Sequence, residues 1–170
     1  MGTRSGDLDP AILLYLMRQQ GWSPEDVDEL INKQSGLIGV SGVSNDMRDV
    51  IGAMEDGNPR AELAVRIFCY RVKKYIGAYA AAMGGLDAIV FTGGIGENSS
   101  GIRERICAGL EFLGVRIDPV ANAEAKGECD VGYGRQPVHV FVIPTNEEMM
   151  IARETAELIS QEIEAGGSRS

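Results

Sequence analysis

A run of glycines between two apolar segments is the feature of this sequence best suited to hold a ligand. Residues 91–98 read FTGGIGEN and lie between a predicted strand and a predicted helix. Backbone N–H groups of such a loop, with the N-terminus of the next helix, favour a phosphate or a nucleotide. The run fails the last position of G-x-G-x-x-G, its Glu97 would repel a pyrophosphate, and the sequence has no Gly-Lys-Ser/Thr of a P-loop. A nucleotide loop and a bare tight turn both remain open.

Three further segments carry polar residues that suit an anion or a metal ion. Residues 144–148, PTNEE, follow a second predicted strand, and their carboxylates either hold Mg²⁺ or complement a helix dipole. Arg4 lies among small residues, which suits an oxyanion but also fits a frayed terminus. Residues 44–49, SNDMRD, either cap a helix or hold the polar edge of a ligand. For 144–148 and 44–49 the pattern alone favours the dipole and capping interpretations.

Helices dominate the elements that must position these segments. Cap residues and apolar spacing predict helices over 7–19, from 24 onward, over 45–53 and from 59 to 83, with Tyr75 and Tyr79 on a core-facing stripe. The glycine-rich residues 35–44 predict a loop or a short extended segment. Further helices are predicted over 98–113, 119–126 and 147–164, with Met149 and Met150 packed at the start of the last, and residues 166–170 are predicted to be a disordered tail.

Two short apolar segments, 86–92 and 138–143, predict buried strands, and 115–117 predicts a shorter one. Strand, loop and helix recur in that order, which indicates an α/β domain with a partly parallel sheet. Two confident strands are few for a sheet, so either edge strands are hidden in the loops or part of the sheet lies outside this chain. His139, the single histidine, alternates with apolar residues and is expected to face solvent or fill a polar gap.

Composition limits the classes of function. At 170 residues, 44% apolar and 24% charged, the chain has the size and make-up of one globular domain. A net charge of −9 without a basic block argues against nucleic acid and anionic membrane partners. No apolar run approaches the ~18 residues of a membrane span, and no leader is recognised. Three scattered cysteines fit a reducing cytoplasm and argue against a zinc site.

Read in order, the polar segments resemble those of acetate kinase. The resemblance rests on MGTRSGDLDP at 1–10, NKQSGLIGVSG at 32–42, SNDMRD at 44–49, VFTGGIGEN at 90–98 and VIPTNEE at 142–148, and it runs to about residue 160. That family belongs to the superfamily of acetate and sugar kinases, heat-shock chaperones and actin, whose members have two ribonuclease-H-like α/β domains around a nucleotide cleft. Only the C-terminal part is matched. The resemblance therefore implies one helix-rich ribonuclease-H-like nucleotide-binding domain over residues 1–165 that lacks its opening strands.

The resemblance also implies roles for individual residues. Arg4 resembles the catalytic arginine that stabilises the transferring phosphoryl group, and Glu147 resembles the Mg²⁺-associated glutamate. Glu97 is expected to point its side chain away from the phosphates. The remaining implied residues contact the nucleotide: Asp46, Met47 and Arg48 line the adenosine pocket, and Gly94, Ile95, Gly96, Glu97 and Asn98 lie along the nucleotide.

By the same resemblance, the complete enzyme transfers the ATP γ-phosphoryl group reversibly to acetate, giving acetyl phosphate and ADP, with Mg²⁺. It is expected to be a cytoplasmic homodimer. The resembled part lacks the family's second catalytic arginine, catalytic aspartate, transition-state histidine and first phosphate loop, so the chain alone is expected to be inactive. A propionate or butyrate kinase, and a non-catalytic nucleotide-binding or interaction module, remain as alternatives.

Overall fold

Helices far outnumber strands in this α/β fold. The computed structural model describes the backbone of residues 1–167 and the side chains of residues 1–146 and 148–159. A 3₁₀ turn over Glu111–Leu113 follows the seventh helix. The helices are α1 (Pro10–Gln20), α2 (Pro24–Lys33), α3 (Gly36–Ser41), α4 (Met47–Glu55), α5 (Pro59–Met83), α6 (Gly93–Asn98), α7 (Ser100–Cys107), α8 (Pro119–Glu124) and α9 (Glu147–Gly167).

Short polar side chains start the helices where the sequence predicts. Asp9 accepts a hydrogen bond from the N–H of Ala11 at 2.9 Å and caps α1. Ser23 and Asp26 form a capping box at the start of α2. Asn58 caps the start of α5, and Gly84, with φ of 77°, follows its last residue. Because caps satisfy the unpaired N–H groups of the first turn, they fix a helix start from local sequence alone.

Three short strands form one sheet in the order β1-β3-β2, where β1 is Ala88–Phe91, β2 is Cys129–Asp130 and β3 is His139–Val142. β1 and β3 are parallel, with Phe91 opposite Val142, whereas β2 pairs antiparallel with β3. Parallel strands end at the same edge of a sheet. The segments that follow β1 and β3 therefore meet, although some fifty residues separate them in the sequence.

One core joins the helices to the sheet, and α5 is its centre. This helix packs against α3, α4 and α7. Its buried residues have small or slim side chains, namely Ala61, Ala64, Val65, Cys69 and Ala80. The predicted tyrosine stripe is wrong, because Tyr75 is 38% and Tyr79 61% exposed. Small side chains let α3 and α4 approach α5 closely, and tyrosine rings would hold the helices apart.

Both glycine-rich segments predicted as loops are short helices. Residues 36–41 form α3, and Arg60 donates to its carbonyls of Gly39 at 3.1 Å and Val40 at 3.0 Å. Residues 93–98 form α6, and the predicted helix over 98–113 is instead broken at Ser99. Tertiary contacts overcome the poor helix propensity of glycine at these places.

The strand and C-terminal predictions differ from the structure in detail. Residues 115–117 form no strand and contribute one bridge, Ile117 to Gly132, while β2 was not predicted. Met149 and Met150 are each 57% exposed, so their predicted packing is wrong. Helix α9 runs to Gly167, and the rest of the predicted tail, 168–170, lies outside the described residues. No helix in the described range is long and apolar enough to cross a bilayer.

Candidate functional site

A cleft of about 980 Å³ brings together two segments that the sequence singles out separately. One wall is the start of α4 and the other is α6 with the residue that follows it. Predicted site residues from both segments therefore face one space. The lining residues are Asn45, Asp46, Met47, Arg48 and Ile51 on the α4 wall, and Gly94, Ile95, Asn98 and Ser99 on the α6 wall.

On the α4 wall, Asp46 and Arg48 pair with each other. The carboxylate of Asp46 accepts from the N–H of Arg48 at 2.8 Å, which caps α4, and from the guanidinium Nη2 at 2.5 Å. The hydrogen bonds from Arg48 lower the pKa of Asp46 to about 2. Met47 is 3% exposed and packs into the core. The capping interpretation is thus confirmed for Asp46. The ion pair of Asp46 and Arg48 at the rim of the cleft has almost no net charge.

On the α6 wall, the glycines have different surroundings. Gly93 has φ of 69° and takes the turn conformation that favours glycine. Gly94 has no positive φ, and a Cβ placed on it would meet no atom within 4 Å. Gly96 packs on the end of β1, where its Cβ would lie 3.2 Å from the Phe91 carbonyl carbon. The bare-turn interpretation therefore accounts for Gly93 but leaves Gly94 open to the cleft.

The carboxylate of Glu97 ties the ends of the two parallel strands together. Its Oε1 accepts from the N–H of Gly93 at 2.8 Å and from the N–H of Thr145 at 2.7 Å. These hydrogen bonds, that of Thr145 first, lower the pKa of Glu97. The hydroxyls of Thr92 and Thr145 lie 2.7 Å apart beside it. Glu97 therefore uses backbone donors of the kind that would otherwise suit an anion.

A second cavity of about 450 Å³ adjoins these strand ends and shares Gly94 with the cleft. Among the described residues no group of three or more His, Cys, Asp or Glu could hold a metal ion by itself. Mg²⁺ needs only one or two carboxylates beside waters and phosphates, so the oxygen donors here fit it. Helix α9 begins at Glu147, whose side chain lies outside the described residues. The cavity is lined by Gly93, Gly94, Glu97, Thr145, Asn146 and Glu148.

Arg4 lies on a segment held between α2 and α3. The N–H of Ser5 donates to the Ile31 carbonyl at 2.8 Å, and the N–H of Ser35 donates to the Thr3 carbonyl at 2.8 Å. Gly2 contacts Asn45 at the rim of the cleft, where a Cβ would lie 2.8 Å from the Asn45 carbonyl oxygen. The exposed guanidinium of Arg4 has no hydrogen bond or ion pair with the part of the chain that the structure describes.

Sequence reasoning missed Arg103 and Asn122, which lie beneath the α6 wall and are each 2% exposed. Arg103 donates to the carbonyls of Gly96 and Glu97 as well as to Asn122. One signal was present, because Arg103 lies between Ile102 and Ile106 on the apolar side of α7. A charged residue beside such a stripe points to a buried polar contact.

Three solved structures define the class to which this fold belongs. Acetate kinase of Porphyromonas gingivalis has a TM-score of 0.87 and is 49% identical, and the match covers 94% of this chain and 40% of that one. Propionate kinase of Francisella tularensis has a TM-score of 0.83 and is 44% identical, and the match covers 91% of this chain and 39% of that one. Acetate kinase of Entamoeba histolytica has a TM-score of 0.85 and is 34% identical, and the match covers 92% of this chain and 42% of that one. The chain is thus part of a ribonuclease-H-like domain of the acetate and sugar kinase superfamily, which confirms the predicted fold class.

Sequence comparison narrows the class to a family. The acetokinase family model matches residues 1–153, and the chain belongs to that family. Acetate kinase of Dictyoglomus thermophilum is 54% identical over 161 residues, 95% of this chain, and one of Clostridium botulinum is 52% identical over 161 residues. The chain spans about 40% of the length of these relatives, 40% of the first and 41% of the second.

Proposed function

We propose that this chain is the C-terminal portion of an acetate kinase, which transfers the γ-phosphoryl group of ATP reversibly to acetate. One observation carries the proposal. Residues from both segments that the resemblance assigns to the nucleotide line one cleft of about 980 Å³, namely 46–48 from the first and Gly94, Ile95 and Asn98 from the second. That volume lies at the upper end of the range of small-molecule and cofactor sites.

The chemistry asks for charge neutralisation and positioning more than for covalent catalysis. In the proposed mechanism, Arg4 neutralises the charge of the transferring phosphoryl group. Its guanidinium is available for this role because it has no partner within the described residues. Gly94 lets the nucleotide approach the backbone closely, because no side chain intrudes there. Asp46, Met47 and Arg48 border the adenosine, and Ile95 and Asn98 line the opposite wall. Gly96 and Glu97 belong to the same helix and support that wall from behind the cleft.

Mg²⁺ fits the adjoining cavity. When bound with the nucleotide, it would supply positive charge to the phosphate oxygens. Glu147, with Thr145 and Glu148 beside it, would hold the ion through oxygen ligands. The carboxylate of Glu97 accepts hydrogen bonds from Gly93 and Thr145, and these bonds keep Thr145 and the residues that follow it next to the α6 wall.

The proposed enzyme acts with the remainder of its chain, as a homodimer, in a reducing cytoplasm. An apolar stripe on α5 supports self-association, since Leu63, Ile67 and Tyr70 are 47%, 41% and 62% exposed. Cys69, Cys107 and Cys129 are free thiols, which fits a reducing compartment.

A second candidate function differs from the first in the acid that accepts the phosphoryl group. Propionate kinase of Francisella tularensis shares the fold at a TM-score of 0.83, so a propionate or butyrate kinase is the alternative within the class. A non-catalytic nucleotide-binding module is the alternative outside it. The catalytic and non-catalytic candidates can be distinguished only when this chain is combined with the part of the enzyme that it lacks.

A chimera provides that test. The 161-residue match in the Dictyoglomus thermophilum enzyme is replaced by the corresponding residues of this chain. We expect the chimera to form acetyl phosphate from ATP and acetate, and the chain alone to bind ADP without turnover. A chimera that melts cooperatively and binds ADP but forms no acetyl phosphate would favour the non-catalytic module. Turnover by the chain alone would contradict the expectation that its site is incomplete.

A further inference from the structure

Arg103 is a buried cation without an anionic partner. It is 2% exposed, and no carboxylate among the described residues forms an ion pair with it. Burial lowers the pKa of its guanidinium. Burial of an unpaired charge is costly, and an apolar side chain of similar volume would often stabilise a core at least as well. Stability alone is therefore a poor explanation for an arginine at this place.

Neutral oxygens surround the guanidinium instead. Nε donates to Asn122 Oδ1 at 2.7 Å, and Nη2 donates to the Asn122 carbonyl at 2.7 Å. Nη1 donates to the carbonyls of Gly96 at 2.9 Å and Glu97 at 2.8 Å. Asn122 in turn donates from Nδ2 to the Ser100 carbonyl at 2.9 Å. The planar fork of arginine can satisfy several acceptors at once, which a lysine ammonium cannot do in this arrangement.

Two of these acceptors belong to the α6 wall. Gly96 and Glu97 lie in the last turn of a six-residue helix, whose terminal carbonyls have no partner within the helix. The chain then turns at Ser99, with φ of −119° and ψ of 91°, before α7 begins. Arg103 bridges this break from the next helix. It therefore fixes the angle at which α6 meets α7.

The same wall is fixed from its other side. Glu97, whose carbonyl Arg103 holds, places its carboxylate on the N–H groups of Gly93 and Thr145. A chain of hydrogen bonds thus runs from Asn122 through Arg103 and Glu97 to the ends of β1 and β3. Gly94 and Asn98, which face the cleft, lie within this span.

We propose that Arg103, held by Asn122, is a positioning residue for nucleotide binding: it fixes residues 94–98 as a wall of the cleft without contacting the nucleotide. The proposal rests on the proposed function of that cleft. It adds a requirement that lies outside the lining residues. A guanidinium is needed at residue 103, and a lysine, although equally charged, should hold the wall poorly.

The test compares Arg103→Lys and Arg103→Met with the wild-type chain, and uses Arg105→Met as the matched control. Arg105 lies on the same helix, is exposed and lines neither cavity at the strand ends. ADP affinity is measured by calorimetric titration, well below the melting temperature of each variant. Amide hydrogen exchange at residues 93–98 is measured in the absence of nucleotide.

We expect Arg103→Lys to weaken ADP binding by about tenfold or more, because a small misplacement of a binding wall has large effects. Exchange at 93–98 should quicken while that of the central helix α5 stays unchanged. Arg105→Met should match the wild type in both measurements. If Arg103→Met fails to fold, the lysine variant decides the outcome.

Wild-type ADP affinity and unchanged exchange at 93–98 in Arg103→Lys would overturn the proposal, even if its melting temperature fell. So would faster exchange spread equally over α5, since that indicates general loss of stability. If neither the wild-type chain nor the chimera binds ADP, the nucleotide site is contradicted and with it the binding half of this proposal. Exchange at 93–98 would then still decide whether Arg103 fixes the wall.

Discussion

Two glycine-rich segments, 36–42 and 93–98, look alike in sequence and fold alike into short helices, yet their glycines do different things. Gly36 has φ of 63°, and a Cβ on it would lie 2.5 Å from the Met1 carbonyl oxygen and 2.9 Å from that of Arg4. The N-terminal segment rests directly on this glycine. Gly94 has neither a positive φ nor any atom within 4 Å of its Cβ position.

Gly36 is a glycine that the fold requires, whereas Gly94 is one that the fold merely permits. Gly36 makes room for other parts of the same chain, so its substitution should damage the protein itself. At Gly94 the space belongs to the cleft, and a substitution there should damage only what enters the cleft.

The largest effect is expected from Arg4→Ala, on the segment that Gly36 supports. In the chimera with the Dictyoglomus thermophilum enzyme, kcat should fall by about a thousandfold, because loss of an arginine that stabilises the transferring phosphoryl group has effects of that order. Affinity for ADP and thermal stability should stay close to those of the wild type. Steady-state kinetics with acetate and ATP measure the effect, and Arg18→Ala, an exposed arginine on α1, is the control. Unchanged kcat in Arg4→Ala would remove Arg4 from the site.

Gly36→Ala should destabilise the chain by about 2 kcal/mol or more, since it adds a positive-φ strain to a backbone clash. Urea denaturation of the purified chain measures this. Gly21→Ala is a matched control, because Gly21 has φ of 66° but no atom within 4 Å of its Cβ position. Equal losses in the two variants would show that strain alone matters and that the N-terminal segment does not rest on Gly36.

Gly94→Ala should weaken ADP binding by about tenfold, because its methyl group projects into the space proposed for the nucleotide. Stability should be unchanged or rise by about 0.4–1 kcal/mol, as expected for alanine at a compatible helical glycine. Gly101→Ala is the matched control, since Gly101 is also helical, exposed and without neighbours within 4 Å. Titration and thermal melts of both variants are compared. A destabilised Gly94→Ala with normal ADP affinity would place Gly94 in the fold rather than the site.

The smallest effect is expected at the opposite wall, from Asp46→Asn. The pKa of Asp46 is lowered from its usual 3.8 to about 2, so its charge stabilises the fold above pH 4 and this contribution is lost as pH falls from about 4 to 2. Arg48 is 88% exposed, which keeps the contribution small. The melting temperature of wild type should exceed that of Asp46→Asn slightly at pH 6, and the difference should shrink near pH 2.

Arg48→Met removes the same ion pair and is expected to lower the melting temperature at pH 6 in the same way. A difference between wild type and Asp46→Asn that persists unchanged at pH 2 would show that the ion pair is not its cause. Asparagine still caps a helix well, so the capping hydrogen bond is largely kept in that variant.

Local chemistry determined the helix boundaries that the sequence predicts well. Asp9, Ser23 and Asn58 cap helices whose starts the sequence predicts, because a cap acts within three residues of its own position. The strands β1 and β3 were found for a similar reason, as short apolar segments bounded by glycine or proline. The order of the motifs also identified the family, which the comparisons confirm.

Tertiary structure decided what depends on distant partners. Helix α3 forms from a glycine-rich segment because Arg60, some twenty residues on, caps its end. Thr145 reaches Glu97 because β1 and β3 pair in parallel and end at one edge. The α4 wall faces the α6 wall because α4 and α7 both pack on α5 and α6 contacts α7. Arg103 is buried because acceptors from two other elements surround it there. The partners in these contacts have no local signature, since each contact balances the cost of desolvating or ordering one segment against groups that only the folded chain brings near.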